Sequence, residues 1–131
     1  MRLKQDSNMR ESQVEDALVT NLVFLSKMLK LPPDIKMITR QLRLKSGEAR
    51  IDLLLSSGKN LCLIELKVVK FSEEWLKQII SYRDELIHLQ NAGELVAGNI
   101  LCFLLVTDAK ERDIELAKQN NIELFFFFPL Y

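Results

Sequence analysis

Two apolar runs joined by a few turn-forming residues constrain this chain more than any other feature. Ala49–Leu55 (Ala-Arg-Ile-Asp-Leu-Leu-Leu) and Leu61–Val69 (Leu-Cys-Leu-Ile-Glu-Leu-Lys-Val-Val) read as adjacent strands of a sheet covered on both faces. Inside them stand Asp52, Glu65 and Lys67, spaced Asp-x12-Glu-x-Lys. Charge in a buried strand is costly unless partnered, so these three need an explanation. Side chains alternate along a strand, which puts Glu65 and Lys67 on one face. A hairpin turn around Ser56–Asn60 lays Asp52 on the neighbouring strand, where it can point to that face too. The pattern therefore predicts two acids and a lysine converging on one spot.

The rest of the chain builds a fold around that hairpin. Its 131 residues suit one domain, 1–131, with the polar residues 1–11 expected to be disordered or frayed. Ser12 opens a helical stripe of Val14, Leu18, Leu22, Leu25, Met28 and Leu29, which Leu31-Pro32-Pro33 ends. Met37–Leu44 reads as a strand, Gly47 as a turn, and Lys59–Lys70 contains the third strand. Ser72 is a natural N-cap, followed by Glu73 and Glu74 at the positive end of a helix dipole. Trp75, Leu76, Ile79, Ile80, Arg83, Leu86 and Ile87 then recur at helical spacing until Asn91-Ala92-Gly93. Asn99–Thr107 is a strand, Asp108 can cap a short helix to about Asn120, and Ile122–Phe128 is a last strand before Pro129. The order α-β-β-β-α-β-α-β implies an α/β fold. Three strands form a meander, a crossover helix leads to a parallel strand, and helices flank a mixed central sheet.

Composition narrows the class of function. Formal charge is zero, 48% of residues are apolar and 27% charged, as in ordinary soluble domains. Charge is nevertheless uneven: residues 1–50 carry ten Lys/Arg against six Asp/Glu, and residues 51–131 eight against twelve. Arg40, Arg43, Lys45 and Arg50 crowd the approach to Asp52, either as a phosphate-facing strip or as an ordinary solvated strand edge. Cys62 and Cys102 lie in apolar runs without CxxC spacing and read as buried thiols of a reducing compartment. The first residues lack a signal-peptide core, and the longest apolar runs are far too short to span a bilayer. A soluble cytoplasmic protein with no membrane partner is expected. No P-loop, GxSxG or HExxH spacing occurs, so no nucleotide cofactor is expected, and esterase and zinc-protease chemistry gain no support.

The charged trio suits one chemistry well. Two ionised carboxylates about 4 Å apart repel by roughly 4 kcal/mol at an effective dielectric of 20. Lys67 offsets part of that, and a third acid would leave a charge that one divalent cation neutralises. Hard oxygen donors favour Mg²⁺ or Mn²⁺, which suits metal-assisted hydrolysis of a phosphodiester. Glu15, bordering the first apolar stripe, is the candidate third acid. Ser12-x-x-Glu15 is also a capping box, and spacing alone favours the cap. Gln78 and Tyr82, four apart on the second long helix, could brace the carboxylates, touch nucleic acid or form an exposed pair. The structural alternative for Asp52, Glu65 and Lys67 is a buried ion-pair network. Two acids against one lysine make a poor device of that kind. His88 stands alone near a helix end and is read as structural or exposed, and Trp75 as core packing.

Arg50-Ile51-Asp52-Leu53-Leu54, Ile64-Glu65-Leu66-Lys67 and Gln78-x-x-x-Tyr82 together resemble the signature of the PD-(D/E)XK nuclease superfamily. Among its RecB-like members, the catalytic domain of NucS/EndoMS-type endonucleases is the nearest likeness, over about residues 11–128. The resemblance implies a restriction-endonuclease-like αβββαβ core with an added helix and strand. It also implies that Asp52, Glu65 and Glu15 ligate Mg²⁺ or Mn²⁺ and that Lys67 and Gln78 serve catalysis, which reverses the preference for Glu15 as a cap. Gln41, Arg43, Arg50 and Tyr82 are implied at the substrate. Ile51 stands where the family name has proline, and Ala49 replaces a glycine usual before Arg50.

The expected activity is metal-dependent hydrolysis of DNA, as an endonuclease in repair, recombination or mobile-element defence. The alternatives are a nuclease-fold subunit that binds or assembles without cutting, and a nuclease acting on RNA. DNA is the expected partner, and near-neutral charge asks for help with specificity from a partner protein, dimerisation or a branched substrate. Phe125–Phe128 reads first as buried strand, with a homodimer contact as the second reading.

Overall fold

The computed structural model describes residues 2–44 and 50–126, with side chains from Glu11 onward. Five strands form one sheet in the order β1-β2-β3-β4-β5. They are β1 (Lys36–Arg43), β2 (Arg50–Ser57), β3 (Asn60–Leu66), β4 (Ile100–Val106) and β5 (Ile122–Phe126). The first three run antiparallel as the expected meander, and β4 and β5 add in parallel. The β2–β3 turn is tighter than the run Ser56–Asn60 implied. Ser57 pairs with Asn60, so only Gly58 and Lys59 form the loop, with Gly58 at φ +59°. The expected turn at Gly47, with Lys45 and Ala49, lies outside the described residues.

Helices cover both faces, as strands apolar on both sides require. α1 (Arg2–Thr20) and α2 (Leu22–Met28) place Leu18, Leu25 and Leu29 against Leu53, Leu55, Cys62, Ile64, Phe103 and Leu105. α3 (Glu73–Asn91) and α4 (Glu111–Gln119) sit on the other side, where Leu76, Ile79, Leu86 and Ala117 meet Leu54, Leu61, Leu63 and Leu104. Burying each such side chain contributes roughly 1.5–3 kcal/mol. Cys62 and Cys102 are buried free thiols on opposite faces of the sheet. Among the described residues no helix is long and apolar enough to cross a membrane.

Three local expectations are corrected. The first helix begins at Arg2 rather than Ser12. Arg, Leu, Lys, Gln and Met there are good helix formers. It also breaks at Asn21, whose side chain accepts the Phe24 amide at 3.2 Å and caps α2. The fourth helix is opened by Lys110, not Asp108, with the Lys110 amide donating to the Asp113 carboxylate at 2.9 Å. Asp108 instead extends the sheet, its carbonyl accepting the Phe71 amide at 2.8 Å. At the other helix the expected cap holds: the Ser72 hydroxyl accepts the Glu74 amide.

Candidate active site

Strand alternation slips by one residue at Asp52. Leu53 and Leu55 pack under α1 and α2, but Ile51 packs with Leu54 on the α3 side. The partner strand is distorted at the same level. Gln41, which the flanking pairs Arg40–Leu53 and Leu42–Ile51 place opposite Asp52, has φ +52°. That left-handed conformation is uncommon for a residue with a side chain, and here it occurs inside a strand.

The β2–β3 ladder also ends here, at the pair Leu53–Ile64. Beyond it the carboxylates take over the backbone's hydrogen bonding. Glu65 Oε1 accepts the Asp52 amide at 2.9 Å, and Asp52 Oδ2 accepts the Leu66 amide at 2.8 Å. Each acid therefore fixes the other's strand, and neither backbone donor is left unsatisfied. Asp52 Oδ1 accepts a longer bond of 3.3 Å from Gln41 Nε2.

Both acids are energetically ill at ease. Glu65, 2% exposed, is pushed well above the usual carboxylate range by burial and next by the charge of Asp52. Asp52 is raised by burial and by Glu15, against the opposing pull of the Leu66 amide and the Lys67 ammonium. Lys67 follows β3 directly, its amide bonded to the Leu105 carbonyl at 2.9 Å. Its ammonium lies 4.6 Å from the centroid of the Trp75 ring. Among the described residues no carboxylate lies within 4.0 Å of it, whereas Arg40 pairs with Glu15 and Asp16.

Glu15 is at the site, bonded by two residues of β1. It is 4% exposed and sits mid-helix, so the capping-box alternative falls. Arg40 Nε donates to its Oε1 at 2.8 Å, and Gln41 Nε2 to its Oε2 at 2.9 Å. Both oxygens are thus engaged. Among the described residues no three His, Cys, Asp or Glu side chains gather as a ready ligand set. Arg40 also bonds Asp16 at 2.6 Å.

Asp52 and Glu65 by themselves still fit a hard divalent cation. They are oxygen donors tied to each other's strands, and Mg²⁺ is commonly held by one or two carboxylates plus water and substrate phosphate. A cavity of about 370 Å³ opens beside them, lined by Glu11, Ser12, Glu15, Arg40, Gln41 and Asp52. Sequence reasoning missed Glu11. It lies one helical turn before Glu15, and burial and the Asp52 charge raise its pKa. The i, i+4 spacing to Glu15 was the available signal, hidden by placing the helix start at Ser12.

The remaining expected residues separate. Arg43 and Arg50 pair across β1 and β2 with both side chains exposed, two positions along the ladder from the distorted level. Gln78 is half-buried with Oε1 lacking a hydrogen-bond partner. Tyr82 is 4% exposed, its hydroxyl pKa pushed up to about 12 by burial and by Glu65. Trp75, read as core packing, is half-buried against the α3-side core and also faces Lys67.

No protein-family model and no curated protein matches this sequence. Solved structures do share its fold. A repair endonuclease from Pyrococcus abyssi superimposes with a TM-score of 0.63 at 20% identity, over 88% of this chain and 47% of that one. EndoMS in complex with double-stranded DNA gives 0.61 at 18% identity, over 88% and 45%. This chain thus spans about half the length of each. The resemblance read from the motifs is met at the level of the fold.

Proposed function

We propose that this chain is a metal-dependent nuclease that hydrolyses DNA phosphodiester bonds, as an endonuclease. The observation that carries the reading is the reciprocal tie of Asp52 and Glu65 at the parting of β2 and β3, beside Lys67. A structural ion network does not fit: both acids are protonated more readily than normal, and Lys67 pairs with neither. The fold shared with a repair endonuclease and with a DNA-bound EndoMS supports DNA as the substrate.

In this reading Asp52 and Glu65 hold Mg²⁺ or Mn²⁺, which when bound supplies Lewis-acid charge at the phosphodiester and acidifies water. The chain's own groups do the rest. Lys67, with no carboxylate competing for its donors among the described residues, orients the attacking water and meets negative charge developing on a phosphoryl oxygen. Gln41 spans Asp52 and Glu15, holding the first at a fixed position and the second off the cation. Arg43 and Arg50 meet backbone phosphates beside the cut.

The test is incubation with Mg²⁺ or Mn²⁺ and a panel of circular, linear, mismatched, flap and single-stranded DNA and RNA. Metal-dependent cutting of DNA, stopped by chelation and by Lys67→Met, is expected. Intact DNA across the panel, or cutting indifferent to chelator, overturns the proposal. Cutting of RNA alone would make it a ribonuclease.

A further inference from the structure

Lys67 faces an aromatic ring, and among the described residues no carboxylate lies within ion-pairing distance of its ammonium. The ammonium lies 4.6 Å from the Trp75 ring centroid, within the range where the ring's negative face attracts a cation. Both the ring and the backbone that carries it are hydrogen-bonded. Its indole N–H donates to the Lys70 carbonyl at 3.2 Å, and its backbone amide bonds the Ser72 carbonyl at 3.0 Å, at the capped start of α3. The Lys67 backbone is pinned from the other side by Leu105. Both ends of the contact are therefore built in.

We propose that Trp75 is the positioning residue for Lys67, holding the ammonium over its ring face while leaving the N–H donors directed at substrate. The inference rests on the nuclease reading for its catalytic consequence and goes beyond it in naming what aims the lysine. A carboxylate partner would aim Lys67 equally well, but would occupy its donors and compete with phosphate. An indole face attracts the charge without consuming a hydrogen bond. Burying its neighbours Glu65 and Asp52 without a direct ion pair to Lys67 is the arrangement expected if the ammonium is reserved for the reacting group.

Trp75 is the chain's one tryptophan, so its emission reports this contact directly. Lys67→Met is expected to change the emission maximum or intensity with the melting temperature preserved, whereas Lys59→Met on the hairpin leaves the spectrum unaltered. A Lys67→Met spectrum identical to the parent overturns the contact, and does so whether or not the chain cuts DNA. The catalytic consequence is read by two substitutions of Trp75. Trp75→Phe retains a ring face and most of kcat. Trp75→Leu retains only bulk and loses kcat on the order of 10- to 100-fold with KM little changed. Equal losses in both, tracking equal losses of melting temperature, overturn the positioning role, as does full activity in both. Absence of cutting by the parent protein would overturn the nuclease reading, with the fluorescence comparison still deciding the contact.

Discussion

Asp52 and Glu65 each hydrogen-bond the other's strand: the Asp52 amide donates to Glu65, and the amide following Glu65 donates to Asp52. Two like charges are thereby held together by backbone geometry. The tie keeps them aimed when no counter-ion is present, while burial raises the pKa of both and the charge of Asp52 raises that of Glu65 further.

Removing either acid or the lysine should end catalysis. Asp52→Ala, Glu65→Ala and Lys67→Ala are each expected to lower metal-dependent DNA cleavage on the order of a hundredfold or more. Undiminished cutting of plasmid or flap DNA by any one of them counts against the assignment.

Stability should depend on pH in a direction opposite to that of a salt-bridged acid. Asp52 and Glu65 have folded pKa values above their ordinary 3.8 and 4.5, so the folded state holds protons that the unfolded chain has released. Their contribution is therefore best below those ordinary values and is lost as pH rises through the raised ones. The melting temperature of chelated protein should fall over that range, and Mg²⁺ should restore it at neutral pH by binding only the folded form. A stability rising with pH there would contradict the burial of uncompensated charge.

Neutralising one acid relieves the repulsion while keeping an acceptor oxygen for the backbone. Glu65→Gln, and similarly Asp52→Asn, should leave metal-free stability unchanged or raise it by about 0.5–2 kcal/mol, as active-site neutralisation commonly does. Denaturant melts check this, and a large loss would restore the structural reading of the cluster.

Gln41 separates backbone strain from side-chain bonding. Alanine at φ +52° keeps the strain and loses both hydrogen bonds, whereas glycine loses the bonds but relieves the strain. Gln41→Gly should therefore be more stable than Gln41→Ala by about 1 kcal/mol. The reverse order in chemical denaturation would show that the left-handed backbone is not what the site stores.

Arg43 and Arg50 should act on affinity rather than chemistry. Replacing either by alanine is expected to weaken DNA binding across sequences and to lower the slope of log affinity against log salt by about 1. An unchanged salt dependence in binding titrations would remove them from the phosphate path.

Much of this architecture is legible in the residues. The alternating and continuous apolar runs predict all five strands within a few residues, and Ser72 predicts the start of α3, because period and capping are local properties. The start of α1 escaped, since Arg2–Met9 are helix formers without an apolar stripe to mark them. With the start misplaced, Glu15 looked like part of a cap, and Glu11 was not seen at all. Tyr82 sits on the Gln78 face as its spacing required, but spacing carries no information on whether a phenol is reached by solvent or closed over by a core.

By itself, then, the sequence determined the order of elements along the chain, the three-strand meander, and the two-sided burial of β2 and β3, all consequences of short-range periodicity and one tight turn. Tertiary structure alone decided the partners. Glu15 goes to Arg40 and Gln41, Lys67 goes to Trp75, and the alternation slips at Asp52. Which groups a buried charge finds depends on elements brought together across the chain, and on how each strand yields to satisfy its own amides.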